Sequence, residues 1–353
     1  MNCHVERINP FEDERWDNFV RNHSNGWVCH LSSWKKVLED SFLHITGHYL
    51  AIVDENNTAI TAALPLYEVN SWITGRRIVS IPFATLSDPL VKNTDELEAL
   101  LLYATANLNK NKHSCIEITA YESSEIQNCS GFANSSSYIN HYLVLEDNPE
   151  ELLKTVFKTS IRRGVKKALK ESIDVIEATD DSDVNGFYSL YVDTRRRLGL
   201  PPQPLHFFLN LFNTLSSKGQ ISIQLAKLKG NIIGGTLLLK YKDRVSVDYL
   251  ASDERYRGIS IDTFLWWMAM KYSWREGYRI FDFGRTSIRN NGLLEYKDRW
   301  GTTRKTISNY CNDKGKDTVK ENSIFYEPVK QICRHAPRPL LRFIGNAIYR
   351  HMG

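Results

Sequence analysis

A chain of 353 residues is too long for one ordinary small domain and suits two. Its 42% hydrophobic and 24% charged residues are those of a soluble globular protein, and a net charge of +4 is too mild to indicate nucleic acid or membrane by itself. The densest apolar cluster, 263–270, is far too short to span a bilayer. The start, MNCHVERINPFEDERW, lacks the apolar run of a secretory signal, so the cytoplasm is the expected compartment. Cysteines stand at 3, 29, 115, 129, 311 and 333, with no Cys-x-x-Cys pair, and no disulfide framework is expected in a chain this long. The ten histidines are scattered. His44 and His48 share a helical spacing but flank a glycine and lack a third ligand, so they read as structural, and no metal site is expected.

In chain order, 16–20 and 31–42 read as helices, the second with Leu31, Trp34, Val37 and Leu38 on one stripe and Ser32 or Ser33 as its cap. Strands follow at 48–53 and 59–67, joined by the polar turn 54–57, and another at 76–80. A loop from Pro82 carries Ser87-Asp88-Pro89. Then come a helix at 95–107, with Leu97, Leu100, Leu101 and Ala104 inward, and a buried strand at 115–119.

The periodicity predicts one continuous helix over 149–171, with Leu152, Leu153, Val156, Ile161, Val165 and Leu169 on its apolar face. Lys158, Arg162, Lys166 and Lys170 fall four apart in a basic stripe, widened by Arg163 and Lys167. Such a stripe is either a solvated face or the footprint of an anionic partner.

Further along, a helix at 187–198 ends in Arg195-Arg196-Arg197 and is stopped by Pro201, Pro202 and Pro204. Helix 207–215 precedes strands at 221–228, 233–241 and 244–251. The segment 258–276 is a helix apolar on every side, hence buried, closed by Gly277. LAIVDENNTAITAALPLY from Leu50 aligns with LAKLKGNIIGGTLLLKY from Leu225, two strand–turn–strand units that suggest an internal duplication.

The chemically densest stretch is 281–301, FDFGRTSIRNNGLLEYKDRWG. A short strand, 278–283, leads into it, and Gly284 is expected to break that strand, leaving Asp282 and Arg285 at its C-terminal end, where ligands collect in open α/β sheets. The order D-F-G-R-T, a glycine-containing spacer, Tyr296-Lys297 and Trp300-Gly301 resembles the closing signature of the FemAB family, the peptidoglycan-bridge aminoacyltransferases and their relatives in the GNAT acyltransferase superfamily. The resemblance covers about 27–310.

It implies an α/β fold of two tandem GNAT-like domains, each a mixed, mostly antiparallel sheet flanked by helices. The expected boundaries are 1–148 for the first domain, 149–171 for a basic linking helix, 172–311 for the second domain with the active site, and 312–353 for a basic amphipathic appendix. The implied reaction is amide formation on an amino group of a cell-envelope precursor, with no permanently bound cofactor. The donor is an aminoacyl-tRNA, or an acyl-coenzyme A or acyl-carrier thioester.

Carried over by position, Lys297 and Tyr249 are the catalytic candidates. Asp88, Arg195, Arg197, Arg285 and Asp282 are the candidates for holding the acceptor. Each has a plainer alternative: Lys297 on the surface beside Glu295 or Asp298, Tyr249 as a strand aromatic, Asp88 in an Asp-Pro turn, Arg285 paired with Asp282. The loop Arg255-Tyr256-Arg257-Gly258-Ile259-Ser260 sits where GNAT enzymes cradle the donor pyrophosphate, which assigns Arg255, Gly258 and Ser260 to donor binding. The basic stripe suits tRNA as a partner instead. After Pro328, apolar residues alternate with Lys330, Arg334, Arg338, Arg342 and Arg350 in two short helices divided by Pro337 and Pro339. That pattern fits either peripheral contact with the inner face of the membrane or docking on the protein's own second domain.

Overall fold

The computed structural model describes residues 4–56, 58–73, 75–108, 115–312 and 326–352. Cys3, Asn57 of the expected 54–57 turn, and the start of the expected appendix at 313–325 lie outside the described residues. The chain divides into two units, one of 1–138, 306–323 and 347–353, the other of 139–305 and 324–346. The expected borders at 148 and 171 therefore both fall within the second unit.

The first unit opens with β1 (His4–Ile8), α1 (Glu14–Asn22) and α2 (Ser32–Ser41), followed by β2 (Ile45–Val53), β3 (Ile60–Ser71) and β4 (Gly75–Val79). Next come α3 (Thr94–Asn107), β5 (Ile116–Ala120) and β6 (Ala133–Val144), the last running on into the second unit. The expected stripes hold: Leu31, Trp34, Val37 and Leu38 are buried, as are Leu97, Leu100, Leu101 and Ala104 of α3, which packs on β2 and β3. Asn93 caps α3 by accepting the Glu96 N–H at 3.0 Å. Neither expected serine caps α2. Its N-cap is Leu31, and the Ser32 hydroxyl donates to Asp17 at 2.7 Å instead.

The second unit adds α4 (Pro149–Thr155), α5 (Thr159–Ala168), β7 (Ile173–Glu177), α6 (Asp181–Leu198) and α7 (Leu205–Leu215). It continues with β8 (Ile221–Leu228), β9 (Asn231–Tyr241), β10 (Arg244–Ser252), α8 (Ile261–Arg275), β11 (Ile280–Ser287), α9 (Asn291–Asp298) and β12 (Thr303–Cys311). Two helices close the chain, α10 (Tyr326–His335) and α11 (Arg338–Tyr349).

The two units repeat one plan. Strand order is β1-β2-β3-β4-β5-β12 in the first and β7-β8-β9-β10-β11-β6 in the second. In each, the first four strands pair antiparallel and the fourth and fifth pair parallel. A parallel pair needs a crossover, supplied by α3 in one unit and α8 in the other. The aligned segments from Leu50 and Leu225 are the hairpins β2–β3 and β8–β9. Both units are thus mixed, mostly antiparallel sheets with flanking helices, as expected.

Three readings are corrected. The helix over 149–171 is two helices, broken at 156–158. There Phe157 turns inward against Trp267 and Trp300, while the Lys158 N–H donates to the Arg299 carbonyl at 2.8 Å. Val156 and Leu169, placed on the apolar face by periodicity, are exposed. The buried helix begins at Ile261, after a 3-10 turn over Glu254–Ile259. Gly284 does not end its strand, because β11 runs through it to Ser287.

Cys115 and Cys311, with Cα atoms 6.4 Å apart, are joined as a disulfide. The pairing of β5 with β12 brings them together across 196 positions of sequence, which spacing does not reveal. The C-terminal helices belong mainly to the second unit, where α10 packs on α6. Cys333, Ala336 and Leu341 are buried, and the Arg338 guanidinium forks onto the Asp193 carboxylate. The inward stripe of this segment docks on the protein itself, while Ile332, Leu340 and Phe343 remain exposed.

Candidate active site

In the second unit, the buried charged side chains Asp282 and Lys297 lie where its two parallel strands part. β10 and β11 stay in register for three pairs, Arg244–Ile280, Val245–Phe281 and Ser246–Asp282, and the ladder ends there although both strands continue. On the other edge of β10, toward β9, the register shifts between Val247 and Tyr249, a bulge that re-aims the side chain of Asp248.

Alternation along β11 sends Phe281 and Phe283 against Trp266, with ring centroids 6.2 and 4.7 Å away, so Asp282 points to the other face. Asp282 is fully buried. Its Oδ1 accepts the Gly284 N–H at 2.7 Å, and its Oδ2 accepts Asn140 Nδ2 and Arg244 Nη1, each at 2.8 Å. A buried carboxylate survives only with such partners. Arg244, which the sequence did not single out, is the arginine that holds it, while Arg285 is exposed.

Lys297 comes from α9, which the Tyr296–Gly301 stretch locks in place. Trp300 is buried between Phe157 and Phe283, at 5.1 and 5.9 Å, and the Tyr296 hydroxyl meets Thr263 Oγ1 at 3.2 Å. Gly301 has φ +72°, and a Cβ there would lie 2.2 Å from Val156 Cγ1, so only glycine fits. Lys297 is 3% exposed, not a surface lysine, and its Nζ donates to the Gly284 carbonyl at 2.7 Å. Gly284, at φ +69°, sits just past the end of the β10–β11 ladder. Burial pushes the Lys297 ammonium down to about 7, opposed by the charge of Asp282. The other expected neighbours are taken, Asp298 by Arg304 and Glu295 by Arg299.

Asp248 is the residue that sequence reasoning missed. Burial pushes its carboxyl up to about 7; a 2.7 Å hydrogen bond from Ser246 Oγ opposes this, the charge of Asp282 adds to it, and Arg285 opposes it. Asp282 therefore acts on both titratable groups, raising Asp248 and sustaining the charge on Lys297. The available signal was a lone charge inside the otherwise uncharged strand VSVDYLA. His141, also unforeseen, is fully buried with Nε2 3.4 Å from Asp298 Oδ1. Burial and then the charge of Lys297 hold it down to about 4, so it stays neutral beside the lysine at neutral pH.

The remaining candidates of the second unit are spread over β10, α6 and the turn before α8. Tyr249, on β10, is half-buried edge-on to Tyr191 and Phe208, at 5.5 and 5.0 Å. Arg195 Nε donates to the Pro201 carbonyl at 3.0 Å, and its guanidinium lies over Tyr191. Arg197 is half-buried on the last turn of α6. Arg255 is exposed and bonded to Asp253 of its own loop. Gly258 is exposed, with nothing within 4 Å of a Cβ added there. Ser260 is the N-cap of α8 at φ +63°. Asp262 in the first turn of α8 carries the charge that a bound anion would meet.

Asp88 lies in the first unit. It is buried, and its Oδ1 accepts the N–H groups of Tyr121, Glu122 and Ser123 at 2.7, 2.8 and 2.9 Å. His30 Nε2 donates to the Asp88 carbonyl at 2.9 Å. Burial raises the Asp88 carboxyl against those three bonds.

Comparison with known proteins agrees with this architecture. Residues 156–298 match the family model of the acetyltransferase (GNAT) domain, a span that includes β10, β11 and Lys297. No curated protein matches the sequence significantly. Among solved structures, the crystal structure of FemX is similar at 18% identity and a TM-score of 0.70, over 94% of this chain and 100% of that one. A tandem GNAT protein from the clavulanic acid biosynthesis pathway is similar at 12% identity and 0.57, over 89% and 100%. L-PGS from Bacillus licheniformis is similar at 10% identity and 0.54, over 92% and 97%. Residues 156–298 are thus similar to a GNAT acetyltransferase domain, in a chain whose fold is similar to that of FemX and of a tandem GNAT protein.

Proposed function

We propose that this protein transfers an acyl or aminoacyl group to an amino group of a cell-envelope precursor, peptidoglycan or surface polysaccharide, and that Lys297 and Asp248 carry the chemistry. The observation that carries the reading is the burial of Lys297, with its Nζ tethered to the Gly284 carbonyl just past the end of the β10–β11 ladder.

The acceptor amine attacks the donor carbonyl, and Asp248 takes the proton that the nitrogen must lose. A carboxyl poised near 7 is matched to that task at neutral pH. The Lys297 ammonium, released from Gly284, stabilises the tetrahedral oxyanion. Collapse breaks the bond to the leaving group, a thiol or the ribose hydroxyl of a tRNA, which takes up a proton, while the amide C–N bond remains. Asp282, with Arg244 and Asn140, positions the pair rather than touching substrate. Arg195, Arg197 and Arg285 are the proposed acceptor contacts, because guanidinium groups suit phosphates and carboxylates, and the Tyr249 hydroxyl is a proposed hydrogen-bonding contact beside them.

Two donor classes remain in contention on different observations. The exposed Lys158, Lys166 and Lys170 suit tRNA, although Arg162 is already bonded to the Lys154 carbonyl. The Arg255–Ser260 turn before α8 suits coenzyme A, and similarity to a tandem GNAT protein supports that donor class; with it the reading becomes an N-acyltransferase acting on an amino sugar. For a lipid-linked acceptor, the exposed Ile332, Leu340 and Phe343 among Arg334 and Arg338 support peripheral contact at the inner membrane face.

Native mass spectrometry of the purified protein with acetyl-coenzyme A and with alanyl-tRNA, followed by turnover on amino-sugar and lysyl-peptide acceptors, tests this reading. Amide product with either donor is the expected result. Binding of both without any product leaves a precursor-binding protein as the better description.

A further inference from the structure

One end of the first unit carries apolar side chains that nothing in that unit covers. At the β3–β4 turn Trp72 is 86% and Ile73 61% exposed; between α2 and β2, Leu43 is 98% exposed; at the C-terminus Met352 is 40% exposed. These are three separate stretches of chain fastened into one surface. The Asn70 N–H donates to the His44 carbonyl at 2.9 Å, which ties the hairpin to the Leu43 loop. His44 Nε2 meets the Met352 carbonyl at 2.8 Å, and Ser71 Oγ meets His351 Nδ1 at 3.1 Å, so both are tied to the C-terminus. The Trp72 ring stands edge-on to His351 at 5.2 Å, and the Ile73 N–H donates to Ser71 Oγ at 3.1 Å. The exposed residues therefore sit on a cross-braced base.

We propose that this surface is a shallow wedge that enters the interfacial layer of an anionic lipid bilayer. Three observations select that occupant. The side chains protrude singly from turns and a chain end instead of lining a groove, which suits a fluid layer better than a shaped protein partner. Tryptophan at the tip of a hairpin is the side chain that favours the boundary between headgroups and acyl chains. The surrounding charge is basic: Arg77 and His351 lie close enough to His44 to act on its titration, and Arg350 is exposed beside His351. The nearby Glu68 is neutralised by Arg76 and bonded to Asn70. Basic groups flanking an apolar tip are what an anionic headgroup layer attracts. No helix among the described residues is long and apolar enough to cross a membrane, so the contact proposed is peripheral. The inference does not depend on the transferase reading and invokes none of its residues.

The test is flotation of the full chain with vesicles of phosphatidylglycerol and phosphatidylcholine, against vesicles of phosphatidylcholine alone. Wild type is expected to float with the anionic vesicles. The double variant Trp72→Ser, Ile73→Ser is expected to bind at least about tenfold more weakly, at an unchanged melting temperature, because both side chains are exposed. Leu43→Ser should weaken binding less. Brominated acyl chains should quench tryptophan fluorescence in wild type and not in Trp72→Phe. Equal flotation of wild type and the double variant overturns the proposal, as does failure of wild type to float. A Trp72-dependent dimer in sedimentation without vesicle binding overturns it in favour of a second copy of the chain. Turnover on a soluble acceptor stays at the wild-type level in all these variants, which separates this result from any failure of the transferase reading.

Discussion

The parallel strand pairs of the two units begin alike and end differently. In the first unit, β4 and β5 pair at Ile78–Ile116 and Val79–Glu117, and the ladder is then extended and closed. The Ser80 N–H donates to the Glu117 carbonyl at 2.8 Å, Ser80 Oγ accepts the Thr119 N–H at 2.9 Å, and Asp88 gathers the next three amides through Oδ1. In the second unit the ladder stops at Ser246–Asp282, and three charged side chains, Asp282, Asp248 and Lys297, are gathered at its end. The first junction spends its buried carboxylate on backbone amides and is a staple. In the second, desolvation displaces Asp248 and Lys297 toward neutrality, while the charge of Asp282 adds to the shift of Asp248 and opposes that of Lys297. A duplicated plan thus holds one junction whose buried carboxylate is taken up by backbone amides and one at which the proposed chemistry is placed.

The largest expected effect comes from the second junction. Lys297→Met removes the cation and is expected to lower turnover by about 10²–10³-fold, the scale of a lost oxyanion donor, with the fold retained. Wild-type kcat in this variant would remove Lys297 from the chemistry. Asp248→Asn is expected to lower kcat by about a hundredfold, the lower end for a general base. The same two variants report on stability with opposite signs. The folded Asp248 carboxyl sits near 7, above its usual 3.8, so it costs the fold stability as pH rises from about 4 through 7. The folded Lys297 sits near 7, below its usual 10.5, so its cost appears as pH falls from about 10 through 7. Thermal melts should therefore show Asp248→Asn gaining on wild type as pH rises from about 4 to 7, and Lys297→Met gaining as pH falls from about 10 to 7, an exchange of stability for function that active sites commonly make.

The first junction should behave oppositely. Asp88→Ala strips the common acceptor from three buried amides and is expected to cost about 3 kcal/mol, measured by urea denaturation, with acceptor KM unchanged in the folded fraction. A raised KM without loss of stability would return Asp88 to acceptor binding, as the sequence resemblance implied. The smallest effect is expected at Gly258→Ala, where an added Cβ meets open space and melting should not move. A selective loss of acetyl-coenzyme A binding there would establish the turn before α8 as the donor site.

Much of the fold behind this contrast was legible before the structure, the contrast itself was not, and the reasons are physical. The hairpins β2–β3 and β8–β9 announce themselves by polar turns between apolar runs, and the α3 stripe by its spacing. Lys297 was found through the Tyr296–Gly301 signature, whose Trp300 and Gly301 prove to be packing constraints on α9. The break at 156–158 was invisible because helical periodicity runs through it; a tertiary contact of Phe157 with Trp300 makes it. Strands β6 and β12 were missed because each is stabilised by partners more than a hundred residues away in sequence. Asp248 was missed because nothing local marks a carboxyl whose titration is set by burial, a bulge in β10 and a charge on β11.

The central claim, that Asp248 and Lys297 act as base and cation at the β10–β11 junction, is tested most directly by the pH dependence of amide formation in wild type and Asp248→Asn. Deprotonated Asp248 is required, so the rate should fall below about pH 7; protonated Lys297 is required, so it should fall above about pH 7. The account predicts a narrow bell centred near neutrality, whose acid limb disappears in Asp248→Asn while the alkaline limb stays. A profile flat between pH 6 and 8, or an acid limb that survives in Asp248→Asn, would contradict it.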